Sequence, residues 1–186
     1  MLLRPVAATS LSAYSLSPAV ATFVAPFNGT TTAQAAGSGT PTTATGAIRY
    51  SGSKSALSFD GASDYILVSN ASSLQFTNQL TAEGWFYITS TTTSAVMGLI
   101  GQTSGAGQSW KWYTGSSYSN RVDVEFHANS QTVSPSFGTV TLNTWTHYAM
   151  TYDGSAVKLY KNGVYVTQSS ISGNVDYPTA PIYVGR

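Results

Sequence analysis

The stretch WTHYAMTYDGSAVKLYKNGVYV, residues 145–166, constrains the fold more than any other part of the chain. Apolar and polar side chains alternate up to Asp153-Gly154, and again up to Asn162-Gly163 and beyond it. In a strand, successive side chains point to opposite faces, so Tyr148, Met150 and Tyr152 share one face while His147, Ala149 and Thr151 share the other. Asx-Gly pairs tolerate positive φ and close tight turns between antiparallel strands. Three strands joined by two turns are therefore predicted, one face of them packing inward. Lys158 projects outward and Lys161 lies at the second turn.

Elsewhere the same pattern repeats and helical spacing does not. No segment keeps apolar residues three and four apart for several turns, and Thr, Ser, Gly, Val and Tyr dominate. Strands are predicted at 21–27, 48–50, 56–59, 65–68, 80–88, 95–102, 110–113, 121–128, 139–140, 145–152, 156–161, 164–171 and 181–184. Asn28-Gly29 and Asp60-Gly61 add two more turn signals. Many short strands in one chain of 186 residues imply a single all-β domain, an antiparallel sandwich or barrel. The Thr-, Ala- and Gly-rich segment 30–45 reads as a surface loop within it.

The charge pattern limits the partners. Only 8% of residues are charged, against about 25% in an ordinary soluble domain, and the formal net charge is +1 with no basic run. Phosphate backbones need clustered cations, so nucleic acid is not expected as a partner, nor is an acidic lipid surface. No apolar run is long enough to span a bilayer. Low net charge opposes self-association weakly and suits a protein held in an assembly. With no cysteine there are neither disulfides nor thiolate metal sites.

The first stretch, MLLRPVAATSLSAYSLSPAVATF, carries Arg4 before an Ala-rich run and an Ala19-Val20-Ala21 triplet resembling a cleavage site. Thr9, Ser10, Ser12, Tyr14, Ser15 and Ser17 interrupt the apolar region, which is too polar for a signal peptide. Residues 1–22 are read instead as an N-terminal arm that contacts another subunit, and residues 23–186 as the domain.

Four stretches in order carry a resemblance: SKSALSFDGASDYILVSNASSLQF at 53–76, LTAEGWFYI at 80–88, the 145–166 hairpins, and APIYVGR at the end. Together they resemble the laminin G-like branch of the concanavalin A-like jelly rolls, which also includes pentraxins and legume lectins. The resemblance implies two facing antiparallel sheets of six or seven strands. Such domains continue past the Ile-Tyr-Val-Gly segment into a last strand that pairs with the first ones, and this sequence stops at Arg186. Either the sequence is cut short there, or a strand edge is left open and needs covering, with the N-terminal arm, its own or a neighbour's, the candidate cover.

Several residues could carry chemistry. In RVDVEFH, residues 121–127, Asp123 and Glu125 match the last two positions of the Glu-x-Asp-x-Glu strand motif of jelly-roll glycoside hydrolases, while Arg121 occupies the nucleophile's position. A retaining mechanism needs two carboxyl groups about 5 to 5.5 Å apart, one of them the nucleophile. With a cation at that position catalysis is not expected, and an Arg/Asp/Glu ladder on an exposed strand face is. Asp60, Asp64 and Asp153, with Asn70, are oxygen donors in or near turns and form a candidate calcium set, the cofactor this resemblance allows. His127 and His147 show no metal spacing, and His147 is expected to serve a local hydrogen bond beside Trp145. Trp110, Trp112, Tyr113 and Tyr118 in GQSWKWYTGSSYSN form a dense aromatic cluster outside the obvious core strands, suited to stacking on sugar rings, with core packing the alternative for the two indoles.

The function expected from these features is non-catalytic adhesion in a large assembly. The leading expectation is a bacteriophage virion component, a capsid decoration or tail-fibre subunit that forms homo-oligomers through its arm. The second is a carbohydrate-binding module of a bacterial surface or secreted protein, contacting cell-surface glycans; a glycoside hydrolase is the third.

Overall fold

The fold is described from a computed structural model, which places residues 2–3, 44–45, 49–50, 57–60, 64–68, 70, 74–91, 96–104, 107–115, 118–177 and 179–185. The strands in chain order are β1 (Leu2–Leu3), β2 (Ala44–Thr45), β3 (Arg49–Tyr50), β4 (Leu57–Ser58), β5 (Tyr65–Val68), β6 (Leu80–Tyr87), β7 (Val96–Ser104) and β8 (Gly107–Gly115). They continue as β9 (Tyr118–Ala128), β10 (Gln131–Val133), β11 (Ser136–Thr139), β12 (Trp145–Tyr152), β13 (Ala156–Lys161), β14 (Val164–Ser170) and β15 (Ile182–Val184). One sheet runs β14-β13-β12-β6-β1-β4-β3; the other runs β10-β9-β8-β7-β15-β5-β2, with β11 also on β9. All pairings between them are antiparallel.

The 145–166 pattern folds as its alternation requires. β12 lies between β6 and β13, and Tyr148, Met150 and Tyr152 are buried between the sheets. Asn162 and Gly163 both adopt positive φ, 52° and 78°, as a two-residue hairpin turn requires. Facing them from the other sheet are Trp110 and Trp112 of β8 and Val122, Val124 and Phe126 of β9. Four aromatic rings meet at the centre: Trp112 with Phe86 at 6.0 Å and with Phe137 at 5.1 Å, and Tyr148 with Phe86 at 6.0 Å and Phe137 at 4.9 Å. Offset and edge contacts of this kind add to the area buried by each ring.

This core corrects one expectation. Trp110 and Trp112 are 3% and 0% exposed and belong to the core, so neither indole can stack on a ligand. Tyr113 lies in β8, as the strand predicted at 110–113 requires, and Tyr118 begins β9 ahead of the strand predicted at 121–128, registered opposite Gly115. The cluster thus alternates across a sheet, sending the indoles in and Tyr113 out.

Other differences are local. β10 and β11 form a strand pair on β9 where only 139–140 was expected. Ala44–Thr45, read as loop, pairs with β5. The predicted strand at 21–27 and most of the arm lie outside the described residues. Leu2–Leu3 belongs to the domain's own sheet, with Leu2 opposite Tyr87 and Ser58 and Leu3 opposite Phe86 and Leu57. The beginning of the arm therefore sits between β6 and β4, covering part of the β6 edge within its own chain.

A polar and tyrosine-lined face as candidate functional site

The outward face of the second sheet carries a cluster of charged groups: Lys111, Arg121, Asp123 and Glu125, with His127. On β9, Val122, Val124 and Phe126 point inward, so Asp123, Glu125 and His127 point outward. Glu125 lies opposite Lys111 of β8, and their side chains pair at 3.2 Å. His127 Nε2 is 2.9 Å from the same Glu125 oxygen, and His127 Nδ1 is 3.0 Å from Thr132 Oγ1. Burial alone would raise the Glu125 carboxyl, but the bond to His127 and the Lys111 ammonium outweigh it and hold the group below its ordinary range. One register step away, Arg121 Nη2 donates to Asp123 Oδ1 at 2.7 Å. The Arg121–Asp123 pair expected from the sequence forms, but the face expected to be exposed buries Asp123, and Glu125 pairs with Lys111 and His127 instead.

Across this face the strands run β9, β8, β7, β15, β5. In one row Glu125 stands opposite Lys111, Lys111 opposite Gly101, Gly101 opposite Tyr183 and Tyr183 opposite Leu67. In another, Asp123 stands opposite Tyr113 and Tyr113 opposite Gly98. Two glycines on β7 therefore leave a strip without side chains between Tyr183 on one side and Lys111 and Tyr113 on the other. With strands about 4.8 Å apart, the flanking strands stand about 10 Å from each other, and Lys111 closes over Gly101, which is buried. The Tyr65 ring meets Tyr183 edge-on at 5.7 Å, and Lys111 Nζ lies 5.5 Å from the Tyr113 ring centre. Gly101 is required where it is. A Cβ there would stand 2.6 Å from Lys111 Cβ and 2.7 Å from Lys111 Cα, too close for any other residue without moving β8.

The sequence pointed to Tyr113 here and missed Tyr183, Tyr65, Gly101 and Lys111. The signal for Tyr183 was present in APIYVGR: Ile182 and Val184 face inward, so Tyr183 must face out. What no spacing could show is that β15 inserts between β7 and β5 and brings that tyrosine beside the glycines.

The calcium set does not assemble. Among the described residues no three His, Cys, Asp or Glu side chains stand close enough to hold a metal, so Asp60, Asp64 and Asp153 are not one site. Each serves a turn. The Asp60 and Asp64 carboxylates accept from each other's backbone N–H at 3.0 and 3.2 Å respectively. Asp153 Oδ1 accepts from Ser155 N, Ser155 Oγ and Ala156 N, and Oδ2 accepts from Lys158 at 2.8 Å. Asn70 Oδ1 accepts from the side chain of buried Gln102 at 3.2 Å. His147 also differs from expectation: its ring lies against Trp85 at 5.3 Å and 3.6 Å from Glu83, while Trp145 packs on Tyr87 at 5.5 Å.

Two facing antiparallel sheets with a polar, tyrosine-lined outer face define a jelly-roll domain of the lectin type. A laminin G family model described as concanavalin A-like lectin/glucanases superfamily matches residues 59–186, and the chain belongs to that family. No curated protein matches the chain. Solved structures agree on the fold. The binding domain of botulinum neurotoxin serotype D aligns at a TM-score of 0.66 with 16% identity, over 85% of this chain and 42% of that one. The binding domain of botulinum neurotoxin DC, in complex with SialylT, aligns at 0.58 with 10% identity and the same coverage, 85% and 42%. Domain 4 of AbnA, an extracellular arabinanase from Geobacillus stearothermophilus, in complex with arabinotriose, aligns at 0.55 with 19% identity, over 75% of this chain and 65% of that one. The chain thus spans well under half the length of the toxin binding domains it resembles.

Proposed function

We propose that this domain is a non-catalytic glycan-binding module whose ligand lies along β7, on the strip between Tyr183 and the Lys111–Tyr113 pair. The observation that carries this reading is the row Tyr183, Gly101, Lys111, Glu125, which brings an aromatic ring and charged hydrogen-bonding groups together on one sheet face. Sugar rings offer apolar faces that stack on tyrosine and hydroxyls that both donate and accept. Lys111 supplies donors, and the ionised Glu125 supplies acceptors. The solved complexes of two relatives with SialylT and arabinotriose support a glycan as the ligand class. Hydrolysis is disfavoured because Arg121 stands where a nucleophile would, and because Glu125, held ionised by His127 and Lys111, is poorly suited to general acid work.

The setting we propose is a bacteriophage virion, as a decoration or fibre subunit, supported by the low charge and the absence of cysteine. A bacterial surface or secreted module is the other setting. Glycan-array binding of the full chain, with and without calcium, tests the ligand class. Tyr113→Ala and Tyr183→Ala should each weaken a hit by about tenfold, the loss of one stacking contact of roughly 1.4 kcal/mol. Absence of binding to every glycan would overturn the reading. Detection of the chain in purified phage particles by mass spectrometry tests the setting.

A further inference from the structure

We infer that β14 is a self-association edge, where a second copy of this chain adds its own β14 antiparallel to the first. Four strands end the two sheet orders, and β14 differs from the other three. β3 and β2 have two residues each and β10 has three, whereas β14 has seven. Among the described residues β14 pairs only with β13, so one side of its backbone offers N–H and C=O groups to a further strand. Val164, Tyr165 and Val166 are 67%, 52% and 38% exposed, and Leu142 is the one other large apolar side chain so exposed among the described residues. Proteins guard such edges with charge, proline or very short strands, and VYVTQSS has none of these.

The sequence of the strand selects the occupant. Its large side chains occupy the first half, Val164 to Val166, and its small or polar ones the second, Gln168 to Ser170. Antiparallel pairing about a twofold axis lays the first half of each copy against the second half of the other, so bulky residues meet small ones with Thr167 nearest the axis. No charged residue lies along the strand, and a net charge of +1 leaves little repulsion between copies. A charged peptide would find no counter-charge on this edge. A register shift leaves Val166 without a partner on β13, a bulge that increases the strand's local twist.

The test uses the full chain in solution. Between about 1 µM and 1 mM, light scattering should show the mean mass rising toward twice the chain mass, the range in which a modest interface associates. Val166→Lys and Tyr165→Lys should each shift half-association at least tenfold higher in concentration, with unchanged circular dichroism showing an intact fold. Tyr113→Ala, on the other sheet, should leave it unchanged. The chain has no cysteine, so single cysteines placed at each position from 164 to 170 report the register directly. Oxidative cross-linking should peak at one position or two adjacent ones and fall away on both sides, because only residues near the axis lie within disulfide reach. A monomer at every concentration, a dimer indifferent to Val166→Lys, or cross-linking equal along the strand would each overturn the inference.

Discussion

Arg121 Nη2 and Asp123 Oδ1 stand 2.7 Å apart on one face of β9, and the pair is lopsided: the Arg121 side chain is 41% exposed while that of Asp123 is 5% exposed. The other carboxylate oxygen of Asp123 is buried with no hydrogen-bond partner. Arg121 is therefore a principal compensation for a nearly buried charge. Replacing it by Met should cost about 1 to 3 kcal/mol, the penalty for stripping a partner from a buried polar group. Asp123→Asn together with Arg121→Met should recover part of that loss, since the stranded charge is then gone. Urea unfolding of the parent and the two variants measures both numbers; an Arg121→Met protein as stable as the parent would show that Asp123 does not depend on the pair.

The same strand shows how far the sequence could be read. Alternation alone placed Asp123 and Glu125 on one face, and Asp-Gly and Asn-Gly placed the turns after β12 and β13, because those signals are local. β12 and β13 fall where the pattern put them, at Trp145–Tyr152 and Ala156–Lys161. Partner choice is not local. The insertion of β15 between β7 and β5, and of Leu2–Leu3 between β6 and β4, depends on contacts distant in sequence. Trp110 and Trp112 were misjudged as candidate ligand platforms for a related reason. A period of two says that the indoles share a face, and only the opposing sheet decides that this face is the core.

The turn at Asp153 gives a pH dependence. The bond from Lys158, with those from Ser155 and Ala156, holds the carboxyl well below the ordinary carboxylate range. A carboxyl with a lowered folded pKa stabilises the fold above its unfolded pKa of about 3.9, and that contribution disappears as pH falls through the folded value. Asp153→Asn keeps an acceptor for the turn and removes the ion pair. Its melting temperature should lie slightly below the parent's at pH 7, and the difference should close steadily below about pH 4. Added salt should narrow it at neutral pH, because the pair is at the surface. A gap that widens in acid would contradict this account.

Gly101→Ala tests the close approach of β7 and β8. The new methyl would sit 2.6 Å from Lys111 Cβ and 2.8 Å from the Trp110 carbonyl oxygen, and backbone cannot yield as a flexible side chain can. A cost of about 2 to 3 kcal/mol is expected, as for other overpacked positions. If the ligand lies beside Lys111, affinity should fall as well, since the methyl forces Lys111 out of its place. Parallel denaturation and binding titrations separate the two effects.

Trp112 distinguishes core from ligand contact most sharply. It is fully buried, its ring meets Phe86 and Phe137, and its indole N–H has no acceptor. Trp112→Phe loses ring volume but also removes that unpartnered donor, so the two effects oppose and the net cost should be about 1 to 2 kcal/mol. Trp112→Ala has no such compensation and should cost about 3 to 5 kcal/mol. Because the indole lies between the sheets, Trp112→Phe should bind glycan as the parent does at temperatures where both are folded, whereas Tyr113→Ala, one residue along and on the other face, should not. Isothermal titration of the two variants reads the contrast directly, and a Trp112→Phe protein that stays folded yet loses binding would place the ligand against the core side of β8.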